Sequence, residues 1–373
     1  MALPLYRNHN APRQFNRSFN TGLWYDKFFQ GWTRDWTIGD RGKRDWINQV
    51  TGTPVGEKAF LKEAVLRQVR LVKDLGGEYR CFATGWRFVT GLGRSHPVEN
   101  GFAWHHILGT PYLPGSSVKG MVRSWAENWV QVSPDDVNRI FGPRETKGEK
   151  HVEKHIGNVI FFDALPINPV QLEEEVMTPH YQEYYQQERP QVAPGDWYDP
   201  VPIPFLAVAP RQTFLFALAP RRSTAEQDRK DFLLAFEWLA EALSNVGAGA
   251  KTAAGYGRFA REENVETEIN KWWEEAVQEL QQREAQKKKE EAASPVKKEM
   301  MQDGYDRDQE AFMRTMGEKW LKKLAEEQSS AEEKHEIALL LKEWYLIYRE
   351  EQWKKPNKKN KEKIALIKKV LGE

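Results

Sequence analysis

The chain has one cysteine, Cys81, in 373 residues. A lone thiol excludes an intrachain disulfide and a multi-cysteine metal site, and it suits a reducing compartment. Tyr79, Phe82 and Trp86 flank it in a strand-like run, the setting of an inert core thiol. Long hydrophobic runs are also missing. Mean hydropathy is −0.72, and no apolar stretch approaches the length of a membrane span. The first residues, Met-Ala-Leu-Pro-Leu-Tyr-Arg, turn polar too soon for a secretory signal. The expectation is a cytoplasmic protein with no membrane contact. Net charge is nearly absent at +1, which argues against a protein that coats nucleic acid alone and favours a subunit of a larger assembly.

That near-neutral total hides an asymmetry. Residues 1–130 carry 18 Lys+Arg against 10 Asp+Glu, residues 131–264 carry 14 against 20, and residues 265–373 carry 23 against 24. A nucleic-acid footprint belongs in the basic first third. With 40% hydrophobic residues and 15 Trp the chain can bury a substantial core.

Apolar spacing predicts a helix from Glu57 to Leu75, stopped by Gly76-Gly77, and then a strand from Tyr79 to Val89. A helix over 116–129, capped by Ser116 or Ser117, buries a stripe of Val118, Met121, Val122, Trp125 and Trp129. A shorter helix starts at Ser133-Pro134 and ends at Phe141-Gly142. Charged residues 143–156 form an exposed loop. Strands over 158–164 and 213–218, a helix over 232–246 and a strand from Tyr256 complete a βαββαβ order, an α+β, ferredoxin-like (RRM-like) plan. Proline-rich residues 165–204 read as an ordered insertion or a flexible arm. Composition changes near Glu262, so the expected domains are 1–264 and a charged helical extension, 265–373. The lysine-rich tail of that extension reads as a solvated helix face or an RNA contact.

Two glycine-containing segments carry the most chemistry. Residues 113–120, Leu-Pro-Gly-Ser-Ser-Val-Lys-Gly, open a helix, with Ser116, Ser117, Lys119 and Arg123 positioned to meet a phosphate. Residues 247–258 follow another helix with Gly247, Gly249, Lys251, Gly255, Tyr256, Gly257 and Arg258. Free backbone N–H groups beside a cation suit a phosphodiester. An ordinary capped helix and an ordinary helix–strand connection stay open as readings. The second segment is not a Walker loop, because Ala250 precedes Lys251 and Asn245 stands where the earlier glycine belongs. It is not a dinucleotide fingerprint either, since Thr252 falls at the third position after Gly249 and no strand precedes it.

Catalytic constellations are not evident. His96, His105, His106, His151 and His155 lack the helical acidic partners of zinc or di-iron sites. His105 and His106, adjacent in a strand, would face opposite ways. Asp26, Asp40 and Asp163 are isolated carboxylates. Tyr181, Tyr184, Tyr185, Trp197 and Tyr198 could stack on unpaired bases or form the insertion's own small core. No cofactor, metal or catalytic residue is assigned.

Together the segments resemble the RAMP superfamily of CRISPR-associated proteins, RNA-binding ferredoxin-like folds with a Pro-Gly-Ser-Ser-x-Lys-Gly helix start and a Gly-x-Gly-x5-Gly-x-Gly loop. Within it the chain is similar to the sixth-subunit family of the type III-B Cmr effector complex. That likeness runs through residues 90–101, Thr-Gly-Leu-Gly-Arg-Ser-His-Pro-Val-Glu-Asn-Gly, into Gly109-Thr110-Pro111-Tyr112, and through residues 162–166, 176–181 and 202–206. It adds Arg94 and His96 to the expected RNA contacts and covers roughly residues 20–260. The resemblance implies a non-catalytic backbone subunit near the guide RNA 3′ end. Its partners would be guide and target RNA, the repeated backbone subunit, the small helical subunit and the terminal cap. A RAMP-type ribonuclease cleaving guide precursor or target RNA and a scaffold working through its helical extension are the alternatives.

Overall fold

The strand starting near Tyr79 lies inside an antiparallel sheet. A computed structural model describes residues 14–16, 18–144, 155–181, 184, 199–326 and 329–373. His151, Tyr185, Trp197, Tyr198 and most of the loop over 143–156 lie outside the described residues. The amino-terminal third contributes α1 (Thr21–Lys27), α2 (Asp40–Val50) and α3 (Lys58–Asp74), followed by β1 (Glu78–Thr84). Then come α4 (Gly115–Trp125), α5 (Pro134–Phe141), β2 (Val159–Phe161), β3 (Leu165–Pro166), β4 (Leu172–Met177), β5 (Ile203–Val208) and β6 (Thr213–Pro220). A long helix, α6 (Glu226–Asn245), leads to β7 (Phe259–Arg261).

The main sheet has the order β2-β6-β1-β7, with β3 also pairing β6, and every ladder is antiparallel. Successive side chains on a strand face opposite ways. Phe82, Phe214 and Phe216 therefore join Val118 and Val122 of α4 and Phe232, Phe236 and Leu239 of α6. Cys81, Leu215 and Ala217 face the other way, onto Val65, Val69 and Val72 of α3 and Ile269. Burial pushes the Cys81 thiol pKa well up, with Glu266 adding to the shift, so this is an inert core group.

A second, two-stranded sheet pairs β4 with β5 from Leu172↔Val208 to Met177↔Ile203. Strand β4 lies inside the proline-rich stretch over 165–204 and β5 begins at its end. Glu173, Glu174 and Glu175 hide β4 from an apolar-periodicity reading, but Arg44 and Arg87 neutralise them across the surface. The amino-terminal region holds more structure than its sparse aliphatic residues suggested. Asn20 caps α1 by accepting the Leu23 N–H at 2.9 Å, and Trp24, Tyr25, Trp46 and Trp104 pack as an aromatic core.

The chain divides into two compact units, Met1–Glu274 and Glu275–Glu373, the division falling within α7 (Glu263–Ala292). The second unit contains α8 (Pro295–Gln302), α9 (Gln309–Thr315), α10 (Leu321–Ala325), α11 (Ala331–Tyr348), α12 (Glu350–Lys354) and α13 (Lys358–Leu371). Its own core centres on Phe312, Trp320, Leu341, Trp344 and Tyr345. Among the described residues, no helix is long and apolar enough to cross a membrane.

Candidate nucleic-acid interface

The two glycine segments meet. A groove of about 430 Å³ is lined by Ser117, Met121, Ser124 and Trp125 of α4, by residues 90–93, and by Val246, Gly247, Gly249, Ala250 and Thr252 after α6. Among the described residues lining it, none carries a charge.

The loop after α6 is folded by hydrogen bonds to itself and to the chain following β1. Ala248 N–H donates to Gly257 O at 2.7 Å, Ala250 N–H to Val89 O at 2.8 Å and Gly257 N–H to Arg87 O at 2.8 Å. Gly247, Gly249, Gly255 and Gly257 all have positive φ, the region that side chains resist. Gly257 also sits where a Cβ would stand 1.9 Å from Ala248 O. Many of the loop amides are thus already engaged, fewer being free than the sequence suggested. The N–H groups of Gly249, Lys251, Thr252 and Ala253 find no acceptor among the described residues. Lys251 is itself left-handed at φ 59°, the backbone conformation in which successive amides can turn toward a shared anion.

The helix start differs from expectation. Pro114, not Ser116 or Ser117, holds the N-cap position and makes no side-chain cap bond. Asp163 does the capping from the strand side, its Oδ1 accepting the Gly115 N–H at 2.6 Å. Gly115 is required there, because a Cβ would stand 2.4 Å from Phe161 O. The carboxylate occupies part of the anion site that the helix dipole would otherwise offer. Ser116 and Ser117 remain exposed, and Ser117 lines the groove.

The predicted cations separate. Arg123 is 8% exposed, donating to Gly142 O at 2.8 Å and to Glu127 at 2.8 Å. It ties α4 to the end of α5 and is withdrawn from the expected RNA contacts. Arg258 is exposed, but its guanidinium donates to the Ser244 and Asn245 carbonyls, capping the end of α6. Lys119 is half-buried, away from the groove-lining face. Burial and the neighbouring Arg123 and Arg221 lower its pKa, and no acid pairs with it among the described residues. Lys251 stands 5.6 Å over the Phe205 ring. Tyr256 is half-buried, 6.2 Å from Phe205, and its pKa is raised by burial first and then by Glu175, which shares a hydrogen bond with its hydroxyl.

His96 is also structural. Its Nδ1 accepts the Val98 N–H at 3.2 Å, so in the neutral ring Nε2 carries the proton and donates to Tyr25 O at 2.9 Å. The ring stacks on Tyr25 at 4.6 Å, and burial lowers its pKa. Arg94 is exposed near Asp26. Asp26 has its pKa raised by burial, against the pull of Lys27, Arg94 and His106. His105 and His106 lie in a turn rather than a strand, with the Gly109 N–H returning to His105 O at 2.8 Å. Among the described residues, no group of three or more His, Cys, Asp or Glu could hold a metal ion.

Sequence periodicity misplaced Trp129. After α4 the chain makes one π turn over Ala126–Val130, which shifts the helical phase by about a residue. Trp129 consequently leaves the buried stripe, is 66% exposed, and lines the groove.

A β-sheet backed by α4 and α6, with the helix-start motif and the glycine loop converging on one groove, is a known protein class. The RAMP superfamily model matches residues 38–260, and the chain belongs to that superfamily. Its relatives include the CRISPR system Cmr subunit Cmr6 of Pyrococcus furiosus, 31% identical over 240 residues, 48% of this chain and 66% of that protein. The Cmr6 subunit of Saccharolobus solfataricus is 28% identical over 163 residues, 43% of this chain and 48% of that protein. The chain therefore spans about half to two thirds of the length of these relatives. A chain in the cryo-EM structure of the type III-B Cmr-beta bound to cognate target RNA is 25% identical, with a TM-score of 0.44, over 59% of this chain and 71% of that one.

Proposed function

We propose that this chain is a non-catalytic RNA-binding backbone subunit of a type III-B Cmr effector complex, gripping guide RNA and the guide–target duplex near the guide 3′ end. The observation that carries this reading is the groove, where the helix-start motif and the glycine loop meet and whose lining includes Gly249 and Thr252, two residues with amides that find no acceptor among the described residues. Such amides hold phosphate oxygens by charge-assisted hydrogen bonds. Lys251, next to Thr252 in the loop, and Lys119 and Arg94, outside the groove lining, supply cations along the same unit. The order β2-β6-β1-β7 with helices α4 and α6 supports a ferredoxin-like (RRM-like) plan with insertions, and the helices after α7 form its appended extension. Guide RNA, target RNA, the repeated backbone subunit, the small helical subunit and the terminal cap are the proposed partners, in the cytoplasm.

The histidines favour a non-catalytic role. The His96 ring has both nitrogens engaged, and His105 Nδ1 accepts the Leu108 N–H, so neither is poised as a general base. The test uses the full chain with labelled single-stranded RNA, with and without divalent metal. RNA should be retained and left intact, and omitting the chain from a reconstituted complex should impair assembly or target cleavage at the guide 3′ end. Metal-dependent cleavage by the isolated chain, lost in Asp26→Asn, would contradict the reading.

A further inference from the structure

We infer that Trp129, backed by Trp125, is a stacking platform for one unpaired RNA base in the groove, a subsite that rests on the RNA-binding reading above. The two indoles stack at 5.5 Å with 16° between their planes. Trp125 is pinned, its Nε1 donating to Glu241 Oε2 at 2.9 Å, which anchors the pair to α6. Trp129 then stands 66% exposed on this fixed support. The π turn that carries it closes at Gln131, left-handed at φ 59°, whose N–H returns to Ala126 O.

The occupant follows from what else lines the groove. An apolar protein segment would leave the amides of Gly249 and Thr252 desolvated and without acceptors, which is unfavourable. A lone anion would gain nothing from the indoles. A nucleotide uses both, its phosphate on the amides and its base on Trp129. Because the lining residues are uncharged, base stacking should supply a larger share of affinity here than in a lysine-lined channel. Stacking accepts any base, so the platform sets position along the strand and not sequence.

The experiment compares full-chain wild type, Trp129→Ala and Trp129→Phe on single-stranded RNA and on the same RNA with single abasic positions. Trp129 packs at the surface, so neither variant should lose stability, which a thermal melt checks. Trp129→Ala should weaken binding by about 5- to 100-fold without changing the salt slope, and Trp129→Phe should restore most of it. One abasic position should weaken wild type but not Trp129→Ala. If wild type binds no RNA, the RNA-binding reading fails. If wild type binds RNA and Trp129→Ala keeps full affinity and the full abasic penalty, the platform alone is refuted. An assembly defect in Trp129→Ala with RNA affinity intact would also overturn it, assigning the indoles to a protein contact.

Discussion

Gly249 is packed so tightly under Val89 that a Cβ at this position would stand 2.1 Å from the Val89 carbonyl oxygen. Its φ of +84° adds conformational strain for any side chain. Gly255, in the same loop at φ +90°, has nothing within 4 Å of the corresponding position. Gly249→Val should cost about 3 kcal/mol or more, combining overpacking with left-handed strain. Gly255→Ala should cost about 1 kcal/mol from strain alone. Urea melts of the two variants check the order, and similar losses would show that the loop shifts to accommodate the valine. Because Gly249→Val harms folding directly, Gly255→Ala is the cleaner probe of the loop in RNA binding.

Lys119 and Arg123 lie one helical turn apart and should respond in opposite ways. Arg123→Ala removes the donor to Gly142 O and the partner of Glu127, both inside the fold, and should destabilise the protein by about 2–3 kcal/mol. Lys119→Ala relieves the crowding with Arg123 and Arg221, so stability should stay level or rise while RNA affinity falls. A large stability loss in Lys119→Ala, read from thermal melts, would reveal an unrecognised partner.

These contrasts mark what the sequence made legible. All four glycines over 247–257 have positive φ, which only their clustering could signal. The motif over 113–120 does open a helix on the groove. Long-range partners were not legible. Nothing near residue 115 points to Asp163 as its cap, and nothing near residue 123 announces that Gly142 will occupy the guanidinium. The π turn defeated helical spacing at Trp129, since one extra residue in a turn rotates every later side chain. Strand β4 was hidden because salt bridges, rather than apolar alternation, cover its glutamates.

The His96 environment predicts an acid-sensitive fold. Burial disfavours its imidazolium and lowers the folded pKa below the ordinary value of 6.5, so the unfolded chain binds this proton more tightly. The stabilisation is complete above about pH 7 and declines as pH falls from about 6.5 through the folded pKa. His105, also depressed by burial although Asp163 opposes the shift, adds to the same slope. Melting temperatures measured from pH 7.5 to 5 should fall for wild type and fall less for His96→Gln, which keeps a donor toward Tyr25. An identical slope in the variant would mean that His96 does not titrate in that window.

The groove's role is tested most directly by the salt dependence of single-stranded RNA affinity in the full chain, with Lys251→Ala and Thr252→Glu alongside wild type. Each phosphate neutralised by a cation adds about 0.7 to the steepness of log affinity against log salt. The expected result is a slope shallower by about that amount in Lys251→Ala and near-complete loss of binding in Thr252→Glu, where a carboxylate enters the groove beside the open amides. Unchanged affinity and unchanged slope in both variants, with RNA still bound by wild type, would place the RNA elsewhere on the protein and contradict the assignment.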